Sequence, residues 1–271
     1  KKVSDRTKVL HEALTALEKS KAELQQSLAK ERELNELKSR FLSMASHEFR
    51  TPLTAILSSA SLISDYSESD HQEKRLKHVE RITNAVNSLN DILSDFLSIS
   101  KIEEGKVAAE FKLFSIKALL GETESELKAM LKKNQHLHIH HQGEENIVTD
   151  RKLIRQIMVN LLSNAIKYSE EGTEVKLDTS CNAGELKITV SDQGIGISQE
   201  DQKHLFERFF RGSNAGNIQG TGLGLNIVAG YVQLLGGHIT CESEIDKGST
   251  FIVTIPLQTT TEHNHAQHST H

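Results

Sequence analysis

The hydrophobic positions in the N-terminal part of the chain repeat with helical spacing. Leu10, Leu17 and Leu24 lie seven residues apart in a stretch without Gly or Pro, which predicts a parallel coiled coil over residues 1–38. From Leu34 onwards the hydrophobic stripe is one residue out of phase with the first, and such a break changes the winding of a coiled coil. Two interpretations of the break stay open: a joint that transmits a twist, or a poorly packed linker.

Residues 39–105 predict a helical hairpin. A first helix ends near a polar, turn-like stretch at Ser64–Asp70, and a second helix carries apolar residues at three-four spacing from Leu76 to Ile99. A single hairpin leaves its apolar stripe half covered, whereas a second copy would complete a four-helix bundle. The pattern therefore predicts an all-α dimerisation domain that forms an obligate homodimer.

From about residue 106 the pattern changes to short strands and helices. Phe111–Phe114 predicts a strand, and Ser115 is a candidate N-cap for the amphipathic helix that follows. Residues 106–258 show no regular strand–helix–strand repeat, which favours an α+β sandwich with helices on one face of a mixed sheet. The polar residues 259–271 are expected to be disordered. Further strands are predicted around Leu137–Ile139, Val175–Leu177, Leu186–Val190, His238–Thr240 and Phe251–Ile255, and helices over Arg151–Tyr168 and Asn226–Leu235.

The composition narrows the possible classes of protein. The 271 residues are 37% hydrophobic and 25% charged, which suits a soluble protein, and 4% aromatic residues without Trp imply an aliphatic core. A net charge of −5 argues against a nucleic-acid partner, because such proteins normally present a basic face. Cys181 and Cys241 are too few for a disulfide framework or a zinc site, and we interpret them as strand residues in a reducing compartment.

No stretch of the sequence approaches the ~20 apolar residues that cross a bilayer. We therefore expect a cytoplasmic location, either for the whole protein or for the cytoplasmic part of a membrane-bound sensor. The chain begins with Lys1 rather than Met, so an upstream sensor domain absent from this sequence is expected to precede it.

The first candidate for chemistry is the run Ser46–Thr54, which reads Ser-His-Glu-Phe-Arg-Thr-Pro-Leu-Thr. His47 on an outer helix face is a candidate nucleophile, and Glu48 beside it can orient the ring or accept a proton. Thr51 lies one turn away, so its hydroxyl faces the same patch. Pro52 is expected to bend the helix, because it lacks a backbone donor. The alternative is an ordinary solvated helix face.

A second candidate lies on the predicted helix Arg151–Tyr168. Asn160, Asn164, Lys167 and Tyr168 are spaced so that they share one helix face. Two amides, a cation and an aromatic ring suit a metal-bound nucleotide, because an amide oxygen can fill one place around Mg²⁺ while waters and phosphates fill the rest. The alternative is a buried Asn pair that holds a sheet edge.

Two glycine segments and the stretch between them complete the candidates. Asp192-Gln193-Gly194-Ile195-Gly196 follows an apolar strand, where a carboxylate can accept from an exocyclic amine and glycines let a flat ring approach. Gly220-Thr221-Gly222-Leu223-Gly224 opens a helix whose amides can bind phosphate, without the context of a Rossmann or Walker motif. Between them, three phenylalanines precede a Gly/Asn/Ser stretch that resembles a lid, with Arg208 and Arg211 as candidate phosphate contacts.

Together, and in this order, these segments resemble the H, N, G1, F and G2 boxes of sensor histidine kinases over about residues 39–257. Their ATP-binding fold is shared with type II topoisomerases, Hsp90-like chaperones and mismatch-repair ATPases, which lack an H box. The resemblance implies a residue set for ATP and Mg²⁺. In it Asn164 coordinates Mg²⁺. Tyr168 and Gly196 lie against adenine, Asp192 bonds the adenine amine, and Thr250 helps to bind adenine through water. The phosphates are contacted by Asn160 and Lys167 and wrapped by Gly220, Gly222 and Gly224, and Arg211 or Arg208 contacts the γ-phosphate.

The resemblance also implies a function. ATP would phosphorylate His47, and the phosphoryl group would pass to an aspartate in the receiver domain of a response regulator. Glu48 and Thr51 match the pattern with which many members dephosphorylate the regulator. Two other classes stay open from the residues alone: an ATP-gated scaffold without phosphotransfer, and a coiled-coil dimerisation module with a relic of the ATP fold. Whether transfer occurs within one subunit or across the dimer depends on how the hairpin turn is built.

The histidines of the run 136–141 are a weaker candidate. His136, His138, His140 and His141 suggest a metal site, but no carboxylate or cysteine partner for it is evident, which favours a solvated strand. The histidines of the tail, beyond residue 258, are interpreted as part of a flexible polar end.

Overall fold

A computed structural model of the chain describes residues 2–66, 71–216, 218 and 220–258, with only part of the side chains of the first helix. The expectations for the tail 259–271 and for most of the hairpin turn lie outside these residues. The chain divides into two compact units, Lys1–Thr54 and Ala55–His271. Among the described residues, none of the helices has the length and hydrophobicity that a bilayer crossing requires.

Two long helices form the N-terminal part of the chain. Helix α1 spans Lys2–Asp65 and continues through Pro52, and helix α2 spans Gln72–Glu103. In the N-terminal segment of α1, the four heptad leucines whose side chains are described are all exposed. Such exposure is what a coiled-coil seam shows before its partner is added, so the coiled coil stays a prediction, as does the bend at Pro52. These leucines are Leu14, Leu17, Leu24 and Leu28.

Helix α2 has two apolar faces with different surroundings. Ala85 and Ile92 are buried, and Phe96 and Ile99 pack against the core of the C-terminal part. A second stripe at heptad-like spacing lies open, with exposures of 40–56%. This stripe is formed by Leu76, Val79, Val86, Leu93 and Leu97.

The rest of the chain is an α+β sandwich, as predicted. A five-stranded sheet has the order β2-β4-β5-β7-β6, in which β2 and β4 are parallel and the other neighbours are antiparallel. Strands β1 and β3 form a separate antiparallel pair. The elements are β1 (Lys112–Ser115), α3 (Ile116–Leu127), β2 (His136–Gly143), β3 (Asn146–Thr149), α4 (Arg151–Tyr168), β4 (Glu174–Asn182), β5 (Glu185–Asp192), α5 (Gln199–Gln202), α6 (Gly224–Leu234), β6 (His238–Glu244) and β7 (Gly248–Pro256).

Alternation along the strands places one face of the sheet against the helices. Val175 and Leu177 of β4 are fully buried while Lys176 between them is exposed, because successive strand residues point to opposite faces. Helices α3, α4 and α6 close this face, and their apolar residues join those of the strands in one core. The core is aliphatic, as the composition predicts.

Side-chain caps fix where the helices of this domain begin. Ser115 accepts a hydrogen bond from the Ala118 amide at 3.3 Å, which confirms it as the N-cap of α3. Asp150 caps α4 by accepting from the amides of Lys152 and Leu153. Strand β3 and the single turn of α5 were not predicted, because three successive residues of β3 are buried without alternation and α5 is one turn of polar residues.

Candidate active site

The predicted face of α4 lies on the side of the helix opposite the core. Leu161 and Leu162 are buried beneath the helix, whereas Asn160, Asn164 and Lys167 are only half-buried. The Asn160 amide nitrogen donates to the Gln156 carbonyl at 3.1 Å, which leaves its oxygen directed away from its own helix. The Lys167 ammonium lies 5.1 Å from the centre of the Tyr168 ring. A cation, an aromatic ring and amide oxygens therefore share one polar surface.

The glycine run 220–224 lies directly over this surface. A Cβ atom at Gly224 would be 2.9 Å from Asn160 Oδ1 and 3.9 Å from Asn164 Nδ2. A Cβ atom at Gly220 would be 2.6 Å from the Lys167 ammonium nitrogen. Side chains at these two positions would displace Lys167 and Asn160, so two segments sixty residues apart in sequence lie in contact and form one cradle. Its floor is polar, and its wall is the N-terminus of α6, where backbone amides favour an anion.

Asp192 closes the site from the end of β5. Its Oδ1 accepts from the Gly194 amide at 2.8 Å and from the Ser249 amide at 3.3 Å. Burial raises the pKa of this carboxyl to about 6, against the lowering effect of the two amides. On the neighbouring strand, Thr250 shares a hydrogen bond of 3.0 Å with Ser191. The site thus holds a desolvated carboxylate beside a small hydroxyl network.

Gly194 and Gly196 are required by their neighbours. A Cβ atom at Gly194 would be 2.5 Å from the Tyr168 carbonyl oxygen, which ties this loop to the end of α4. Gly196 has φ of +64°, and a Cβ there would be 1.9 Å from the Glu244 carbonyl oxygen. Both glycines let the loop pack closely between α4 and the turn that joins β6 to β7.

The segment with three phenylalanines anchors the glycine run. The Phe209 amide donates to the Gly222 carbonyl at 3.1 Å, and a Cβ at Gly222 would be 2.8 Å from the Phe210 carbonyl oxygen. Arg211 donates to the carbonyl of Ile218 at 2.6 Å, and it also reaches the carbonyls of Ala215 and Gly216. In this conformation Arg211 therefore organises the loop that follows it.

Arg208 and Thr221 face helix α2. Arg208 forms an ion pair with Glu103, near the end of α2. The Thr221 hydroxyl donates to Asp95 at 3.2 Å and accepts from the Leu223 amide at 3.2 Å. Leu223 itself is fully buried, so its side chain belongs to the core.

The H-box segment lies in the other compact unit, within α1. Glu48 is half-buried and Thr51 is exposed. The side chain of His47 lies outside the described part of the structure. The histidine run of β2 is mostly solvated: His136, His138 and His140 are exposed, and only His141 is half-buried, where it bonds Thr179 at 2.8 Å.

Metal binding at the cradle would rest on amide oxygens. Among the residues that the structure describes, histidine, cysteine and carboxylate side chains form no group of three that could hold a metal ion. Asn164, whose side chain lies beside the wall at Gly224, fits a Mg²⁺ ion that keeps several waters and phosphate oxygens.

Comparison with protein families decides what this architecture is. Residues 37–105 match the His Kinase A (phospho-acceptor) domain, and residues 149–259 match the histidine kinase-, DNA gyrase B- and HSP90-like ATPase. The chain belongs to the histidine kinases. Its phospho-acceptor helices come first and its ATPase domain second.

Relatives of this histidine kinase agree in name and in fold. The circadian input-output histidine kinase CikA of Synechococcus elongatus is 36% identical over 243 residues, which are 88% of this chain and 32% of CikA. The autoinducer 2 sensor kinase/phosphatase LuxQ of Vibrio vulnificus is 35% identical over 249 residues, 88% of this chain and 29% of LuxQ. Full-length ShkA, solved in complex with AMPPNP, is 25% identical with a TM-score of 0.61, over 80% of this chain and 46% of ShkA. The chain thus spans about a third of the length of these curated relatives.

Two parts of the kinase site were missed by sequence reasoning. The Ser249 amide, which binds Asp192, is a backbone group without a signature of its own. Lys132 donates to the carbonyls of Lys167 and Ser169 and so caps the end of α4. A basic residue thirty-five positions before the helix end that it caps leaves no local pattern, so no sequence signal would have found it.

Proposed function

We propose that this kinase region uses ATP and Mg²⁺ to phosphorylate its own His47, and that the phosphoryl group then passes to an aspartate of a response regulator. The observation that carries the proposal is the cradle itself, in which the amides of α4 face the glycine run at the start of α6. The AMPPNP bound by ShkA supports a nucleotide as its ligand.

The residues of the cradle have separate tasks in this proposal. Asp192 accepts a hydrogen bond from the adenine amine, and Tyr168 packs on the ring beside Gly196. Lys167 and the amides of residues 220–224 neutralise the phosphates, which is where most catalysis of phosphoryl transfer arises. Asn164 would hold Mg²⁺, which supplies charge neutralisation between the phosphates, and Asn160 would contact a phosphate. Thr250 binds adenine through water, and Arg211 meets the γ-phosphate after its loop rearranges.

The transfer step follows from the chemistry of imidazole. A neutral ring with a pKa near 6.5 is nucleophilic at neutral pH. One ring nitrogen of His47 bonds to the γ-phosphorus as the bond from that phosphorus to the bridging oxygen breaks, and ADP leaves. Glu48 accepts the proton from the other nitrogen. The reaction is completed when the regulator's aspartate takes the phosphoryl group from the ring.

The same helices are proposed to hold two chains together and to reverse the reaction. A second copy of the hairpin would cover the exposed stripe of α2 in a four-helix bundle. Thr51 with Glu48 would position water for dephosphorylation of the regulator, an activity named for the relative LuxQ. If Thr51→Ala abolishes autophosphorylation but leaves dephosphorylation untouched, Thr51 does not have this role.

The domain bounds are part of the proposal. Residues 1–38 form the signalling coiled coil, 39–105 the dimerisation and phosphotransfer domain, and 106–258 the ATP-binding domain. An upstream sensor domain in the whole protein would act through the coiled coil.

Incubation with γ-labelled ATP tests the proposed reaction. We expect label on the wild-type chain that acid removes and base does not, and none on the His47→Gln variant, which should still bind nucleotide. A matched variant, His138→Gln, changes an exposed histidine of β2 and should label normally. Equal labelling of the wild type and the His47→Gln variant would contradict the proposal, as would label that mass spectrometry locates elsewhere.

Mixed dimers test both roles together. We expect neither His47→Gln nor Asn164→Ala chains to label alone. Label in their mixture would show transfer across the dimer, whereas an unlabelled mixture would indicate transfer within one subunit.

A further inference from the structure

Helix α2 is docked on the ATPase domain beside the phosphate cradle. A Cβ atom at Gly230 of α6 would lie 3.2 Å from the Ile102 side chain, so the two helices pack closely at this point. Arg208 pairs with Glu103 at the same end of α2. One further contact, from Asp95, reaches the cradle itself.

Asp95 is bound to the segment that begins α6. Its Oδ2 accepts the hydrogen of the Thr221 hydroxyl, and the oxygen of that hydroxyl accepts from the Leu223 amide. Thr221 lies between two glycines of the cradle, directly before α6 starts at Gly224. The carboxylate is therefore one hydroxyl group away from the helix N-terminus that favours anions.

The charge of Asp95 is poorly screened. The side chain is largely withdrawn from water, which raises the pKa of the carboxyl to about 6, with a smaller contribution from the charge of Asp91. At neutral pH the carboxylate is still mostly ionised. A negative charge in this position feels other charges nearby more strongly than an exposed carboxylate would.

We propose that Asp95 is a positioning residue that couples two binding events negatively: nucleotide binding in the cradle and the docking of α2 on the ATPase domain. Its carboxylate satisfies Thr221 and the start of α6 when the cradle holds no phosphate, and it repels the phosphates when nucleotide enters. This inference rests on the proposed function. Since coupling between two binding events is reciprocal, nucleotide weakens the docking of α2 by the same factor by which docking weakens nucleotide binding. ATP would thereby help to release the ATPase domain from α2.

The charge of Asp95 can be separated from its hydrogen bond. Asp95→Asn keeps an oxygen that accepts from Thr221 but removes the charge, whereas Asp95→Ala removes both. Glu80→Gln is a matched control that removes a carboxylate from the same helix, fifteen residues earlier. At 1.5 Å per residue this position is about 22 Å away along the helix, beyond the screening length in physiological salt.

We would measure the Kd of AMPPNP, ADP and adenosine by calorimetry on the full chain with Mg²⁺. We expect Asp95→Asn to bind AMPPNP roughly tenfold more tightly than the wild type, with a smaller gain for ADP and none for adenosine. The gain should shrink as salt is raised. Glu80→Gln should match the wild type with all three ligands.

The direction in which AMPPNP affinity changes distinguishes two roles of Asp95: repulsion of the phosphates, or only support of the Thr221 loop. If Asp95 only organised Thr221, Asp95→Asn would leave AMPPNP binding unchanged, and Asp95→Ala would weaken it. That result would overturn the inference, as would an equal gain for adenosine, which has no phosphate. A wild-type chain that binds none of the three ligands would instead contradict the proposed function.

Discussion

Helix α2 and the strands of the sheet are built from the same apolar residue types but meet different surroundings. Val175, Ile188 and Val253 are fully buried, because α3, α4 and α6 cover their face of the sheet. Val86 and Leu93 of α2 are 40% and 51% exposed. Periodicity predicts which face of a helix or strand is apolar and is stabilised by burial, but it does not predict whether the same chain buries that face. The ATPase domain covers its own apolar face, whereas the stripe of α2 stays open within one chain, and we propose that a second copy covers it.

The largest expected effect is the loss of stability that a cavity in the self-contained ATPase core would cause. Leu161 is 1% exposed beneath α4. Leu161→Ala removes buried methyl groups and leaves a cavity, so we expect the free energy of unfolding to fall by about 2–5 kcal/mol. Urea denaturation followed by circular dichroism measures the loss.

The loss of stability in the Leu161→Ala variant should not depend on protein concentration. Because the cover of Leu161 comes from its own chain, the loss should be the same at low and high protein concentration. Leu177→Ala in β4, also fully buried, is a second test of the same kind. A loss that disappears at high concentration would mean that this core also depends on a partner.

A charge on the open stripe of α2 should weaken dimerisation, so its effect should depend on protein concentration. Leu93→Glu would place a carboxylate in the proposed dimer interface, where an unpaired charge is costly. We expect the dissociation constant of the dimer to rise about a hundredfold or more, as measured by analytical ultracentrifugation.

Asn87→Glu is the matched control for the stripe. Asn87 is exposed on the same helix, about 120° around from Leu93 at 100° per residue. The variant adds the same charge as Leu93→Glu and should leave the dimer intact. If both variants dimerise like the wild type, the stripe is not the interface between two copies.

This contrast also explains how far the sequence could predict the structure. Helix α4 was predicted with the bounds Arg151–Tyr168 that the structure has, because its apolar residues repeat with helical spacing over eighteen positions. Strand β3 was missed, since its buried residues follow one another without the alternation that marks a strand. Long periodic elements and caps are local properties, and the sequence displays them directly.

For the candidate site, the sequence predicted the residues but not all of their contacts. The asparagines of α4 and the glycine run could be named from spacing and resemblance, and the structure brings Asn160 and Gly224 together. The contacts of Arg211 with carbonyls and of Thr221 with Asp95 were not foreseen. They join residues distant in sequence or depend on backbone carbonyls, which every residue carries, so no residue pattern signals them.

The smallest of these effects concerns the adenine end of the ATPase domain, where burial acts on a charge. Burial raises the pKa of Asp192 to about 6, so the carboxylate that we propose accepts from adenine is lost as pH falls through this value. At pH 5.5, half a unit below a pKa of about 6, roughly a quarter of the groups stay ionised, and we expect adenosine to bind about fourfold more weakly than at pH 7.5. Adenosine is the suitable ligand because it lacks phosphates, which titrate in the same range and would feel Asp95. Asp192→Asn should bind adenosine weakly at both pH values with a flat profile between them. A wild-type profile that is equally flat would show that ionisation of Asp192 does not contribute to adenine recognition, and that burial in this domain serves packing alone.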